Sequence, residues 1–305
     1  MSETAYLAAE GYVEELIAEL GDATEIHGRL VLAPGPARAV AWAANIWRAP
    51  ERIAVASIGE AAKALRARQR NWACYASELH RRAALIQAKL PKVSAKPLVF
   101  PSAPPQAPLG SWTLLDAGTL LAAQDCSSPF PNGEVAFVED RAGPPNRAYL
   151  KLWEAFTRLG VWPAPGAACL DLGASPGGWS WVLARLGARV IAVDKAPLAP
   201  RVTKLPGVTF QAGSAFALDP KSMGKVDWLV SDVVCYPDRL LRLLEAWIGS
   251  GHAGGIVATV KFQGETDLAA MEKFKALPGG ALVHLHHNKH ELTWMRPPPA
   301  GRGII

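Results

Sequence analysis

The chain has 305 residues, half of them hydrophobic, with 32 lysines and arginines against 27 acidic residues and a formal net charge of +5. That length and composition suit a folded protein with one or two cores, and no stretch approaches the roughly 18 uninterrupted apolar residues of a membrane span. The start, Met-Ser-Glu-Thr, lacks a basic segment leading into an apolar one, so no secretory signal is expected and a cytoplasmic location is. The four cysteines, Cys74, Cys126, Cys169 and Cys235, stand far apart with no CxxC pair or zinc-ligand spacing, which excludes a disulfide framework and predicts no metal. The modest basic excess favours an anionic partner, depending on how the charge is distributed.

Residues 1–96 read as a small α/β domain. A strand is expected over 6–9, an amphipathic helix over 12–20, and a strand over 25–32 ending near Pro34-Gly35-Pro36. Further strands are expected over 39–47 and 52–57, then a long helix from Gly59 to Leu90, where Pro91 stops it. Lys63, Arg66, Arg68, Arg70, Arg81 and Arg82, continued by Lys89, Lys92 and Lys96, form a basic run along this stretch. Such a face neutralises backbone phosphates and would position RNA without reading its sequence. A merely solvated face has the same pattern. Trp72 and Tyr75, interleaved with these charges, either stack on bases or pack inside the helix.

Residues 97–145 are rich in proline, with Pro97, Pro101, Pro104, Pro105 and Pro108 close together, and read as an extended linker. Two short strands, 114–123 and 134–139, are expected within it around the turn Ser127-Ser-Pro-Phe-Pro-Asn-Gly133.

From 146 to 305 strands alternate with helices. Strands are expected over 168–172, 189–193, 208–211, 226–231, 255–261, 281–285 and 291–295, and helices near 149–159, 178–187, 237–249 and 266–277. This alternation predicts a Rossmann-like, seven-stranded, mostly parallel sheet with an antiparallel hairpin at one end and ligands at the carboxyl ends of its strands.

The strongest local signal is Asp171-Leu-Gly173-Ala-Ser175-Pro-Gly177-Gly178-Trp179, after the first of these strands and opening a helix. Its glycines allow a tight turn and close approach of backbone to a ligand. The helix start offers amides to an anion, and Asp194, ending the next strand, suits the ribose hydroxyls of a nucleoside-containing cofactor. A dinucleotide site is disfavoured, because the second glycine of G-x-G-x-x-G is absent. Gly173-Ala-Ser175-Pro-Gly177 matches the nucleophile elbow of a hydrolase, with Asp232 and His287 or His290 to complete a triad, but no oxyanion motif lies upstream.

The full string resembles the first motif of the FtsJ-type RNA ribose methyltransferases. That resemblance implies a class I methyltransferase fold, S-adenosyl-L-methionine as cofactor, and a lysine–aspartate–lysine–glutamate tetrad. Matched motif by motif, Asn146-Arg-Ala-Tyr-Leu-Lys151-Leu supplies Lys151, Val230-Ser-Asp232 supplies Asp232, Thr259-Val-Lys261 supplies Lys261, and His290-Glu291-Leu-Thr supplies Glu291. The cofactor contacts implied are Asp171, Gly173, Ser175, Pro176, Gly177, Gly178, Trp179, Asp194, Ser214 and Asp232. Ser214 lies where many relatives carry an acidic residue for the adenine. Trp179 packs over the cofactor or covers the core.

A ribose hydroxyl is almost wholly protonated at neutral pH, so the enzyme must align it and remove a proton. A lysine serves when a second cation or partial desolvation lowers its pKa. Lys261 is expected nearest the hydroxyl, with Lys151 as the second cation, Asp232 holding both, and Glu291 orienting Lys261 or the ribose. An isolated lysine or carboxylate in these positions is otherwise a solvated or snorkelling charge. The Asn/Asp-Pro-Pro-Tyr motif of base amino-group methylation is missing after Asp232. Cys235 lacks the context of a C5-methylating nucleophile and reads as structural.

Within the family, Ser127-Ser-Pro-Phe and His287-Asn-Lys-His-Glu-Leu-Thr resemble the RlmM-like subgroup, which implies a large-subunit ribosomal RNA substrate methylated on a cytidine ribose. The RNA-binding THUMP region of that subgroup is matched here by a shorter segment. Two other readings remain: the hydrolase with Ser175 as nucleophile, and a catalytically silent RNA-binding protein on the methyltransferase fold.

Overall fold

The computed structural model describes residues 2–299; Met1 and the last six residues of the expected 146–305 domain lie outside it. The chain divides into two compact units, one of residues up to Leu98 with Pro104–Ala136, the other of Val99–Ala103 with the residues from Phe137 onward.

In the first unit, β1 (Glu3–Ala8), β2 (Glu25–His27), β3 (Leu30–Pro34), β4 (Ala43–Arg48) and β9 (Asp125–Cys126) form a sheet in the order β2-β3-β1-β4-β9, with α1 (Val13–Leu20) following β1. A second sheet has the order β5-β8-β7-β6, from β5 (Glu51–Ala54), β6 (Trp72–Cys74), β7 (Gly110–Asp116) and β8 (Thr119–Ala123). Two helices, α2 (Ile58–Arg68) and α3 (His80–Gln87), bury Ala61, Leu65, Ala83 and Ile86 with Trp72, Trp112, Leu114 and Leu120 of that sheet.

Several expectations are corrected here. The long helix of 59–90 is two helices separated by β6. Trp72–Cys74 pairs in parallel with Gly110–Trp112, a partner far along the chain that helical periodicity cannot reveal. The strand of 25–32 is a hairpin, because Gly28 adopts a positive φ of 60°. The supposed linker carries β7, β8 and β9 into the two sheets, with β7 and β8 turning back on each other around Gly118. No strand forms over 134–139.

The second unit follows the expected alternation. Its sheet has the order β12-β11-β10-β13-β14-β16-β15, from β10 (Ala168–Leu172), β11 (Arg189–Asp194), β12 (Val208–Ala212), β13 (Val226–Ser231), β14 (Ala253–Lys261), β15 (Ala281–Val283) and β16 (Glu291–Arg296). The first five strands run parallel, and β16 is antiparallel to both β14 and β15. Every residue of β14 is buried except Lys261, the unbroken apolar pattern of a strand covered on both faces. The helices are α4 (Tyr149–Leu159), α5 (Gly178–Arg185), α6 (Pro200–Thr203), α7 (Pro220–Met223), α8 (Pro237–Ser250) and α9 (Leu268–Lys275). None of the described helices is long and apolar enough to cross a membrane.

Candidate active site

A pocket of about 340 Å³ opens where β10, β11, β12 and β13 end. Leaving β10, the chain turns at Gly173 with φ 76°, and a Cβ there would press into Val233, so only glycine lets the two loops close. Gly177 enters α5 at φ 109°, and a Cβ there would press against Val202. The Asp194 carboxylate ties the turn together by accepting from the Ser175 and Ala196 amides, each at 2.9 Å.

Of the expected cofactor residues, Gly173, Ser175, Asp194, Ser214 and Asp232 line this pocket. Asp171, Pro176, Gly177, Gly178 and Trp179 do not; they shape the turn from behind. Asp171 is buried and accepts from Ser180 Oγ at 2.6 Å. Its carboxyl is pushed up to about 7, chiefly by burial, with the Asp232 and Asp194 charges adding to it. The Trp179 indole is buried and donates to the Ala148 carbonyl at 2.9 Å, so it covers the core. Sequence reading did not single out Lys195, Phe216 or Arg239, which also line the pocket. The Arg239 guanidinium lies 3.9 Å over the Phe216 ring, a cation–π contact. Lys195 and Phe216 closely follow expected strand ends, which was the available signal, while Arg239 lies in the first turn of α8.

Lys151, Asp232, Lys261 and Glu291 come together at one edge of the pocket. Four elements bring them there. Parallel neighbours β13 and β14 end side by side, delivering Asp232 and Lys261, and antiparallel β16 begins with Glu291 in register with Lys261. From α4, Lys151 Nζ donates to Asp232 Oδ1 and Oδ2, both at 2.8 Å, and to Glu291 Oε1 at 3.1 Å. Lys261 Nζ donates to the Asp232 carbonyl at 2.6 Å and pairs with Asp232 Oδ1 at 3.0 Å.

Burial works against the charge on Lys151, but Asp232 and Glu291 outweigh it and hold the ammonium above its ordinary pKa. Burial likewise opposes the Asp232 carboxylate, and the two lysines hold it below the usual range. An ammonium has three donors. Among the described residues, those of Lys151 are all engaged by carboxylate oxygens, whereas Lys261 has two of its three engaged. Its side chain is also more open, 20% exposed against 9%.

The groups of a serine hydrolase are not linked in this way. Ser175 Oγ donates to the Pro197 carbonyl at 2.9 Å, His287 Nδ1 lies 2.8 Å from Glu154, and His290 Nε2 lies 2.9 Å from Thr266 Oγ1. Cys235 is buried, and burial raises its thiol pKa, the opposite of an activated nucleophile. Among the described residues, no cluster of three histidine, cysteine or acidic side chains is arranged to hold a metal.

In the first unit Lys63, Arg66, Arg70 and Arg81 are exposed. Arg68 is engaged by Glu51, with Nε and Nη2 at 2.9 and 2.8 Å from one carboxylate oxygen, and Arg82 is half-buried. Trp72 is fully buried and donates to the Leu65 and Gln69 carbonyls, and the buried Tyr75 hydroxyl accepts from the Arg29 amide. Both are packing residues and unavailable for base stacking.

Residues 144–276 match the model of the FtsJ-like methyltransferase family. The chain is 38% identical over 159 residues to "Ribosomal RNA large subunit methyltransferase M" of Halorhodospira halophila, covering 49% of this chain and 46% of that one. It is 34% identical over 199 residues to the protein of the same name from Alkalilimnicola ehrlichii, covering 60% and 54%. The chain thus spans about half the length of the curated relatives it matches. The structure of Aeropyrum pernix fibrillarin with natively bound S-adenosyl-L-methionine aligns at 17% identity and a TM-score of 0.36, over 60% of this chain and 81% of that one. That likeness is too slight to add to the sheet order described above.

Proposed function

We propose that this chain, whose residues 144–276 match the FtsJ-like methyltransferase family, methylates a ribose 2′-hydroxyl of RNA with S-adenosyl-L-methionine as donor. Large-subunit ribosomal RNA is the substrate its relatives' names suggest, and a cytidine is the nucleotide the sequence resemblance suggests. The observation that carries the reading is the meeting of Lys151, Asp232, Lys261 and Glu291 at the edge of a pocket to which Asp232 also belongs.

The pocket residues fit the donor. Gly173 lines the pocket as bare backbone, since no Cβ fits there against Val233. Asp194 and Ser214 supply polar groups at the ends of β11 and β12, and each Asp194 oxygen can accept a bond beyond the amide it already holds. When bound, S-adenosyl-L-methionine supplies an already activated methyl group on a sulfonium.

The remaining work falls to the tetrad. Lys151, buried between two carboxylates, remains a cation and fixes Asp232 and Glu291. Asp232 in turn grips Lys261 through both its carbonyl and its carboxylate. Lys261 uses its remaining position to bind the ribose hydroxyl and, as the free amine, takes its proton through the nitrogen lone pair as the oxygen attacks the methyl group. The exposed Lys63, Arg66, Arg70 and Arg81 serve as phosphate contacts for the RNA, with Arg68 and Arg82 as lesser contributors.

The test is to incubate the protein with donor labelled in its methyl group and with large-subunit RNA, free or in ribosomal particles, and then hydrolyse the RNA in alkali. A 2′-O-methyl group blocks cleavage, so the label should appear in an alkali-stable dinucleotide. Label in mononucleotides, or none on either substrate, would overturn the reading.

A further inference from the structure

On α4, Lys151, Glu154 and Arg158 follow one another at spacings that share a helix face. The tetrad accounts for Lys151 and leaves Glu154 unexplained. Its carboxylate is fully buried, yet four donors converge on it. Oε1 accepts from Arg158 Nε at 2.8 Å and the His286 amide at 2.8 Å. Oε2 accepts from the His287 amide at 3.0 Å and His287 Nδ1 at 2.8 Å. Burial alone would neutralise the acid, but Arg158 and His287 lower its pKa to about 2. A buried charge held this way is costly to retain for packing alone.

His286 and His287 belong to the turn joining β15 to β16, the histidine-rich segment of the sequence. The turn is closed on itself. The Asn288 amide donates to the Leu285 carbonyl at 2.9 Å and the Glu291 amide to the Lys289 carbonyl at 2.8 Å. The buried Asn288 side chain donates to the Glu291 carbonyl and to Thr293 Oγ1, both at 3.1 Å. A constraint applied at 286–287 is therefore passed to Glu291, whose carboxylate meets Lys151 one helical turn from Glu154.

We infer that Glu154 is a positioning residue: it fastens the 284–290 turn to α4 and thereby sets Glu291 at Lys151 for methyl transfer. The inference rests on the proposed role of the tetrad, but the clamp can be measured apart from it. Glu154→Gln preserves volume and replaces one acceptor oxygen with an amide turned toward N–H donors.

Three readouts are taken on the full chain: hydrogen exchange of the 286, 287 and 291 amides, single-turnover methyl transfer to RNA, and donor affinity by calorimetry. In Glu154→Gln the three amides should exchange about tenfold faster and transfer should slow roughly ten- to a hundredfold, as small misplacements do. Donor affinity should stay within about twofold, because no residue of α4 or the turn lines the cofactor pocket. Adding Glu154→Gln to Glu291→Gln should slow transfer no further than Glu291→Gln alone, since the two act through one group.

Unchanged exchange at 291, equal loss of donor affinity and rate, or multiplying defects in the double variant would overturn the inference. Should the wild-type chain transfer no methyl group, the functional reading fails, while the exchange at 291 still decides the clamp. If Glu154→Gln does not fold, His287→Ala removes the ring contact and should shift the same readouts in the same direction by about threefold.

Discussion

The two units treat charge in opposite ways. In the first, the buried polar side chains are neutral, Thr4, Asn45, Ser111, Thr113 and Ser128, and its charges lie at or near the surface, many in arginine–carboxylate pairs such as Arg48–Asp125 and Arg52–Glu25. In the second, Lys151, Glu154 and Asp171 are all buried, around one end of a parallel sheet. A buried charge lowers stability unless it is fully paired, and such costs gather where chemistry needs shifted or fixed ionisation states. Under the proposed function, binding by exposed cations falls to the first unit and reaction chemistry to the second.

The largest effect that would sharpen this contrast is expected at Lys151. Lys151→Met keeps the length of the side chain and strands Glu291 and half of the Asp232 pairing without a cation. It should abolish methyl transfer and destabilise the chain by about 3 kcal/mol, read from chemical denaturation. A loss below about 1 kcal/mol would mean that the cluster is solvated like a surface pair.

Asp171 comes next. Its folded-state pKa of about 7 lies above the unfolded value of 3.8. Its contribution to stability is therefore fully present below about pH 4 and is lost as the pH rises through 7. Asp171→Asn should remove that decline, worth at most about 4 kcal/mol, and flatten the pH profile of the denaturation midpoint between pH 4 and 8. An unchanged profile would show that Asp171 ionises freely.

The smallest effect concerns the first unit. Reversing charge with Arg66→Glu and Arg81→Glu should weaken RNA binding by roughly tenfold and make it less salt-dependent, with donor affinity unchanged. RNA affinity equal to that of the wild type would mean a merely solvated basic face.

Legibility in the sequence follows the same division. In the second unit β10, β13 and β14 are short apolar runs that are almost wholly buried, so they were visible from composition alone, and Lys151, Asp232, Lys261 and Glu291 each sat in a local motif. What failed in the first unit depended on distant partners. β6 is three residues long and is a strand only because Gly110–Trp112 lies beside it, so Gly59 to Leu90 read as one helix. Proline density around 97–108 hid the β7–β8 hairpin that follows. Glu154 was not singled out, because its four donors come from Arg158 and from a turn more than a hundred positions away. Trp179, adjacent to the glycines, had two readings that only the bond to Ala148 separates.

Under the proposed function, Lys261 acts on the ribose hydroxyl while contributing little to donor binding. Single-turnover methyl transfer by Lys261→Ala, with donor affinity measured on the same preparation, tests it most directly. The expected result is a rate lower by roughly a thousandfold with donor affinity within about threefold of the wild type, since Lys261 is absent from the pocket lining. Transfer within tenfold of the wild-type rate, or donor binding lost in step with it, would contradict the claim.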